Sequence, residues 1–315
     1  MAFGWLVALL VPLATQAFST HLLAPRPQQR SASRSQQRSA SRLRMSGRVA
    51  VAGLGAVGLP VARALASGSI PGLRLAAVSA STEESGRSKL RSLGAEHVPV
   101  LGVERLAAEA DVVVEGLPPS EFLAVAEPTL RAGRTLVALS VTQILQHPEL
   151  EALAAAHGGR IVVPTGALIG LDAVRAAAEG GHIRSVVMRT KKPPKSLQNA
   201  PFVKEQNLDL SSLAEPLRLY EGSVRAASTL FPANVNVACA LALAGVGPDE
   251  TQYEIWADPG VERNTHTYAV VSDESNFEIS IAGVPSAENP ATGALTPLSA
   301  IATLRGLVAT LKVGT

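Results

Sequence analysis

Cysteine is almost absent from this 315-residue chain: Cys239 stands alone, so no internal disulfide can form and no multi-thiolate metal site can be built. Aromatic residues are scarce too, at 3%, while hydrophobic residues reach 47%, so the core must be aliphatic. This length and apolar content suffice for one large or two medium domains. No Asp or Glu precedes Glu83, whereas six arginines lie between residues 26 and 44. The formal net charge of +2 is therefore uneven, and the rest of the chain is mildly acidic. That removes the basis for a nucleic-acid-binding reading. His97, His147, His157 and His182 sit in unrelated contexts without ligand spacing, so no metal site is expected.

No apolar run near the start is long enough to span a bilayer. "AFGWLVALLVPLA", residues 2–14, falls short of the ~20 residues required. It suits the hydrophobic region of a signal peptide, with Ala17 as the cleavage boundary. The Ser- and Arg-rich, acid-free stretch that follows contains "QQRSASR" twice, at 28 and 36, and has transit-peptide composition. A signal peptide followed by a transit peptide, with Phe18 at the junction, resembles the two-part plastid address of algae with secondary plastids. A secreted, mitochondrial or cytoplasmic protein is the alternative. Residues 1–45 are expected to be a removable address, with the folded protein beginning near Met45 and no membrane association after processing.

"GRVAVAGLGAVGLPVARALASG" then opens a nucleotide-binding pattern. A short β-branched strand, Val49 to Ala52, runs into Gly53, Leu54, Gly55, Ala56, Val57 and Gly58. A helical pattern with Val57, Val61 and Leu65 on one face follows. Strand before and helix after is the context that gives G-x-G-x-x-G its meaning. Gly53 serves the tight turn, Gly55 the backbone approach to a pyrophosphate, and Gly58 close helix–strand packing. The second strand ends at Ser79 without the acid that usually holds the ribose of NAD. Ser79, Ser81 and Thr82, with Arg87 nearby, favour NADP or both cofactors, although Glu83 and Glu84 are close.

Strands at 111–116, 134–140 and 160–166 alternate with helices at 120–133 and 144–158, which implies a doubly wound parallel sheet. Ligands of such sheets sit beyond the strands' carboxyl ends, near Leu117, Pro118, Ser140, Thr142, Gln143, Thr165 and Gly166. After Gly170 the pattern changes. Strands are expected at 185–192, 251–258, 266–273 and 276–283, with helices at 221–231 and 234–245, giving an α+β unit. A last helix has Thr296 as N-cap and Pro297 at its first position, with Leu298, Ile301, Leu304, Val308 and Leu311 on one face. The expected organisation is α/β: a Rossmann domain over 46–169, completed by 290–315, with an inserted α+β substrate and oligomerisation domain over 170–289.

These residues resemble the L-aspartate dehydrogenase family across nearly all of 47–315. The resemblance rests on "GLGAVG", "ADVVVEGLPPSEF", "PTGALIGLDA", "RTKKPP", "LYEGSVRAASTLFPANVNVACALALAG", "ADPGVERNTH" and "NPATGALTPLSAIATLR". It implies His266 of "NTH" as the catalytic residue and Asn236 of "NVNVA" as a cofactor contact. A further cofactor contact maps to Gln143, where Thr142 and Gln143 replace Gly and Ala. It also implies homodimers or tetramers that oxidise L-aspartate to iminoaspartate, or reductively aminate oxaloacetate with ammonia, using NAD or NADP. Supply of iminoaspartate to NAD biosynthesis uses the same site. A related oxidoreductase acting on another amino acid or imine, or a non-catalytic NADP-binding protein, are the competing readings.

The chemistry makes its own demands. A base must take a proton from the α-ammonium, and histidine suits that role because its unperturbed pKa lies near 6.5. His266 is either that base or a structural histidine. Asn236 either donates its amide to the cofactor carboxamide or caps its helix. Lys191 and Lys192 either face substrate carboxylates, with Thr165 nearby, or form a solvated pair. Cys239 falls in an apolar helical run and is read as core. Residues 1–45 fused to a fluorescent protein are expected to deliver it to the plastid of a suitable alga; cytosolic fluorescence would remove the targeting reading.

Overall fold

The computed structural model describes residues 47–232, 234–286 and 293–314; the expected address, residues 1–45, lies outside them. β1 (Gly47–Ala52) sets the layering by simple alternation. Val49 and Val51 enter one core, Ala50 and Ala52 the other. A strand apolar on both faces must be covered on both. β1 pairs in parallel with β2 (Leu73–Ser79) and β3 (Val112–Glu115). β4 (Thr135–Ala138) and β5 (Arg160–Val162) complete a parallel sheet of order β2-β1-β3-β4-β5. α1 (Gly58–Ala66) and α2 (Glu83–Ser92) cover the valine face through Val61, Leu65 and Leu90. α3 (Leu106–Glu109) and α4 (Phe122–Arg131) cover the alanine face through Leu106, Phe122, Val125 and Leu130. The strand order reverses at β1, between β2 and β3, where such sheets open a crevice.

The single helix expected over 144–158 is two: α5 (Val141–Gln146) and α6 (Glu149–His157). Pro148 accounts for the break, because proline drives the preceding residue out of the helical region, and His147 sits at ψ 63°. The break lets α5 bridge the two sheets, with Ile144 against the alanine-face core of the first. Its Val141 and Leu145 pack into the core of the second.

That second sheet has order β10-β9-β6-β8-β7 and is mixed, since β6 and β8 run parallel and the other neighbours antiparallel. Its strands are β6 (Ile183–Lys192), β7 (Leu217–Ser223), β8 (Gln252–Ala257), β9 (Thr265–Ser272) and β10 (Asn276–Ala282). α7 (Leu171–Glu179) precedes it, α8 (Pro201–Glu205) follows β6, and α9 (Val224–Leu230) and α10 (Asn236–Ala244) connect β7 to β8. β7 was not anticipated, and residues 221–223 belong to it rather than to a helix. Ser223 is the N-cap of α9, accepting the Ala226 N–H at 3.3 Å, so the helix cannot begin earlier. One face of the sheet packs Val186, Met188, Tyr253, Ile255, Tyr268 and Val270 against Val174 of α7, Val224 of α9 and Leu241 of α10. The other face leaves Val187, Arg189 and Val271 open.

α11 (Leu295–Val308) returns to the first sheet and packs on α1, with Ala300 and Leu304 fully buried in the valine-face core. Of the expected apolar face, Leu304 is fully buried and Ile301 and Val308 pack partly buried against the same core, while the other two residues stay out of it. Leu298 is 57% exposed, and Leu311 lies beyond the helix and is 82% exposed. The buried stripe runs through Pro297, Ala300 and Leu304, at helical spacing. Thr296 lies inside the helix, whose N-cap is Ala294. Leu304→Ala is expected to cost about 2–5 kcal/mol in urea unfolding. Leu298→Ala should stay within about 0.5 kcal/mol; equal losses would contradict this docking face.

Candidate functional site

The crevice at the carboxyl ends of β1, β3, β4 and β5 continues into a cleft of about 280 Å³. The first sheet contributes Val57, Gly116, Leu117, Ser140, Thr165 and Gly166, and the second unit contributes Lys192, Asn234, Asn236, Asn264 and His266. Thr296 of α11 closes one side.

The glycine-rich loop fits a dinucleotide. At Gly53, φ is +89° and an added Cβ would lie 2.8 Å from the Gly116 carbonyl oxygen. At Gly58 it would collide with the Gly53 carbonyl oxygen at 1.8 Å, so side chains are excluded at both positions. Gly55 is exposed and has nothing within 4 Å of where a Cβ would sit, which leaves bare backbone open to an incoming pyrophosphate. Leu54 is buried beneath the loop, its carbonyl accepting from Lys89 Nζ at 2.9 Å. Ser79 braces the loop rather than a ribose: it is 3% exposed and its Oγ accepts the Gly53 N–H at 3.1 Å. Thr82 caps α2 by accepting the Ser85 N–H at 3.1 Å, and Arg87 is paired with Glu83 at 2.6 Å.

A residue that the sequence reading passed over lies behind the lining and braces it. Glu115, at the end of β3, is fully buried. Its carboxylate accepts from Leu117 N–H at 2.9 Å, Leu139 N–H at 3.2 Å, Ser140 N–H at 3.0 Å and the Ser140 hydroxyl at 3.0 Å. Burial raises its pKa, and these four donors oppose that shift. The only signal available was an acid ending an otherwise apolar strand, "DVVVEG".

β6 separates the two expected lysines by strand alternation. Lys191 turns outward to Asp258, with Nζ 2.9 Å from the carboxylate. Lys192 turns inward, is 6% exposed, and donates to Asn234 Oδ1 at 3.2 Å. Desolvation lowers its pKa to about 8. On the adjacent β9, His266 is 3% exposed, with Nδ1 3.0 Å from the buried Thr190 hydroxyl of β6. Desolvation first, and the charge of Lys192 second, lower the His266 pKa to about 3, so its imidazole is neutral at physiological pH.

Asn236 lies at the start of α10 but does not cap it; no side chain does. Its Oδ1 accepts from the Thr142 N–H at 2.9 Å and the Thr142 hydroxyl at 2.7 Å. Its NH2 is left as the donor side, at the cleft wall. Gln143 corrects an expectation. It is buried beside the cleft rather than lining it, and its Nε2 donates to Gln146 Oε1 at 2.7 Å. Cys239 is core, its thiol pKa pushed up to about 12 by burial.

A profile described as "Aspartate dehydrogenase, C-terminal" matches residues 172–307, and one described as "Homoserine dehydrogenase, NAD binding domain" matches residues 53–164. L-aspartate dehydrogenase 3 of Bordetella bronchiseptica is 51% identical over 267 residues, 85% of this chain and 97% of that protein. The L-aspartate dehydrogenase of Bradyrhizobium diazoefficiens is 50% identical over 268 residues, 85% of this chain and 94% of that one. Among solved structures, aspartate dehydrogenase of Thermotoga maritima shares the fold at a TM-score of 0.62 with 24% identity, over 85% of this chain and 99% of that chain.

Glu115→Gln retains one acceptor oxygen and turns an NH2 toward backbone donors, leaving at least one buried N–H unpaired. Its expected cost is about 1–3 kcal/mol in unfolding. Dinucleotide affinity, measured by calorimetric titration, should fall with it, because both cleft turns lose their anchor. Unchanged affinity would mean that Glu115 serves the sheet alone.

Proposed function

This chain belongs to the L-aspartate dehydrogenase family and is an NAD(P)-dependent L-aspartate dehydrogenase, and from that premise we propose how its cleft performs the reaction. The observation that carries the proposal is the burial of His266 and Lys192 together, on one wall of the cleft that the glycine-rich loop opens. Bound NAD(P)⁺ supplies the hydride acceptor for the substrate Cα.

The chain's residues do the rest. Gly53, Gly55 and Gly58 admit the pyrophosphate, and the Asn236 NH2 donates to the nicotinamide carboxamide. Lys192, already stripped of water, pairs with one aspartate carboxylate. Thr165, at the end of β5, offers its hydroxyl to the other. His266 Nδ1 lies 3.0 Å from the Thr190 hydroxyl; in the tautomer that donates Nδ1–H to it, the Nε2 lone pair is left to accept a proton from the α-ammonium. The low pKa of His266 is no obstacle, because a bound dicarboxylate would bring negative charge beside the Lys192 ammonium and the neutral imidazole, which raises both pKa values. Lys191, tied to Asp258, takes no part.

The same groups serve reductive amination of oxaloacetate with ammonia, and delivery of iminoaspartate to NAD biosynthesis is compatible with this site. NADP is expected to bind at least as well as NAD, since no acid ends β2 and Glu83 is neutralised by Arg87. Assembly into homodimers or tetramers is proposed through the open face of the second sheet, around Val187, Arg189 and Val271. Action in a plastid rests on the composition of residues 1–45.

His266→Ala is expected to lower kcat for L-aspartate by ~10²–10⁴-fold with NAD(P) affinity and melting temperature unchanged. A variant with wild-type turnover would sink the assignment. Lys192→Met should raise KM for aspartate by about 10- to 100-fold, the size of a charge-assisted hydrogen bond. Lys192 holds its proton below its pKa and loses it above. Wild-type kcat/KM should therefore fall as pH rises past about 8, a limb that Lys192→Met lacks. With His266 neutral down to about pH 3, no acid limb near 6.5 is expected from the free enzyme. A kcat/KM profile from mildly acidic to alkaline pH checks both limbs.

A further inference from the structure

α5 begins without a cap of its own. Ser140, which precedes it, turns its hydroxyl to Glu115 at 3.0 Å, and no side chain of the helix's own start takes the first-turn N–H groups. Asn236 reaches that helix end from α10. Its Oδ1 accepts both the Thr142 N–H, at 2.9 Å, and the Thr142 hydroxyl, at 2.7 Å. The hydroxyl has a single proton, and its other acceptor, the Pro232 carbonyl, is farther away at 3.2 Å. The Cys239 thiol, 3.9 Å from the Thr142 oxygen, is placed to donate to it. Thr142 is 2% exposed, so water does not compete for these bonds.

A backbone N–H can only donate, so the Asn236 oxygen must face α5 and its NH2 must face the cleft. The backbone donor selects the end of the amide; the hydroxyl, as a second donor on the same oxygen, fixes its plane. We propose that Thr142 is a positioning residue for the nicotinamide end of the dinucleotide, holding Asn236 so that its NH2 meets the carboxamide oxygen. This rests on the role given to Asn236 above. Thr142 itself touches neither cofactor nor substrate.

The test compares NAD⁺ with ADP-ribose, which lacks the nicotinamide, by calorimetric titration of the intact protein. Thr142→Val removes the hydroxyl and keeps the backbone N–H and the side-chain shape. It is expected to weaken NAD⁺ by about 3- to 10-fold, the range for one neutral hydrogen bond, while ADP-ribose stays within about twofold. Thr142→Ser should restore NAD⁺ binding. Asn236→Ala is the control and should lose nicotinamide-specific affinity by at least as much. If Asn236→Ala shows that loss and Thr142→Val does not, the positioning role is overturned and the Asn236 contact stands. If Asn236→Ala leaves the NAD⁺ to ADP-ribose ratio unchanged, the Asn236 contact fails and the proposal with it. Equal weakening of both ligands by Thr142→Val would assign Thr142 to folding alone and overturn the proposal.

Discussion

One buried carboxylate holds the cleft together. Glu115 ends β3 with no exposure to water, where an unpaired charge would be costly, and it is stable there because four donors converge on its two oxygens. Those donors belong to the two turns at the carboxyl ends of β3 and β4. The turns therefore cannot shift without breaking a buried ionic hydrogen bond. From Ser140 the constraint passes into α5, and from Thr142 of α5 to Asn236 of α10. The first sheet is thus tied to α10 of the second unit by hydrogen bonds at either end of a short stretch of backbone, not through apolar packing alone.

The opposite wall depends on desolvation. Lys192 and His266 are buried side by side; desolvation lowers both pKa values, and the Lys192 charge further disfavours protonation of His266. The folded protein therefore keeps a neutral imidazole beside an ammonium whose pKa is lowered. Linkage gives the stability consequence. Both folded pKa values lie below their unfolded values, so the unfolded chain binds more protons in each window. Burial of Lys192 costs stability below about pH 8, and that cost is relieved as pH rises from there toward 10.5. The neutral state of His266 is favoured above 6.5, and stability is lost as pH falls from 6.5 toward about 3.

The first sheet was legible in the sequence because its signals are local. The glycine spacing, the apolar β-branched strands and their alternation with helices each follow from steric and burial rules that act within a few residues. The "NTH" and "NVNVA" segments marked His266 and Asn236 through their resemblance to a known family, while the residues by themselves left a structural histidine and a helix cap open. Burial in the cleft, next to the loop, is what the fold added to them.

What the sequence could not determine depended on distant partners. Lys191 and Lys192 are adjacent and chemically alike; the pleat of β6 and the position of Asp258, far along the chain, send one outward and bring one in. Gln143 bonds to Gln146, and α5 bridges the two cores, with Ile144 against the first and Val141 and Leu145 in the second. Ser79 braces the glycine loop because β2 lies beside β1, which brings both its carbonyl and its hydroxyl to the Gly53 N–H. Periodicity placed Ile301, Leu304 and Val308 of α11 on the docking face, but the extent of the receiving surface decided that Leu298 stays exposed. Glu115 gains its meaning only when β3 and β4 lie side by side. Covalent spacing fixes which groups a segment can offer; the tertiary fold decides which of them are desolvated, which are already paired, and which are left facing the cleft.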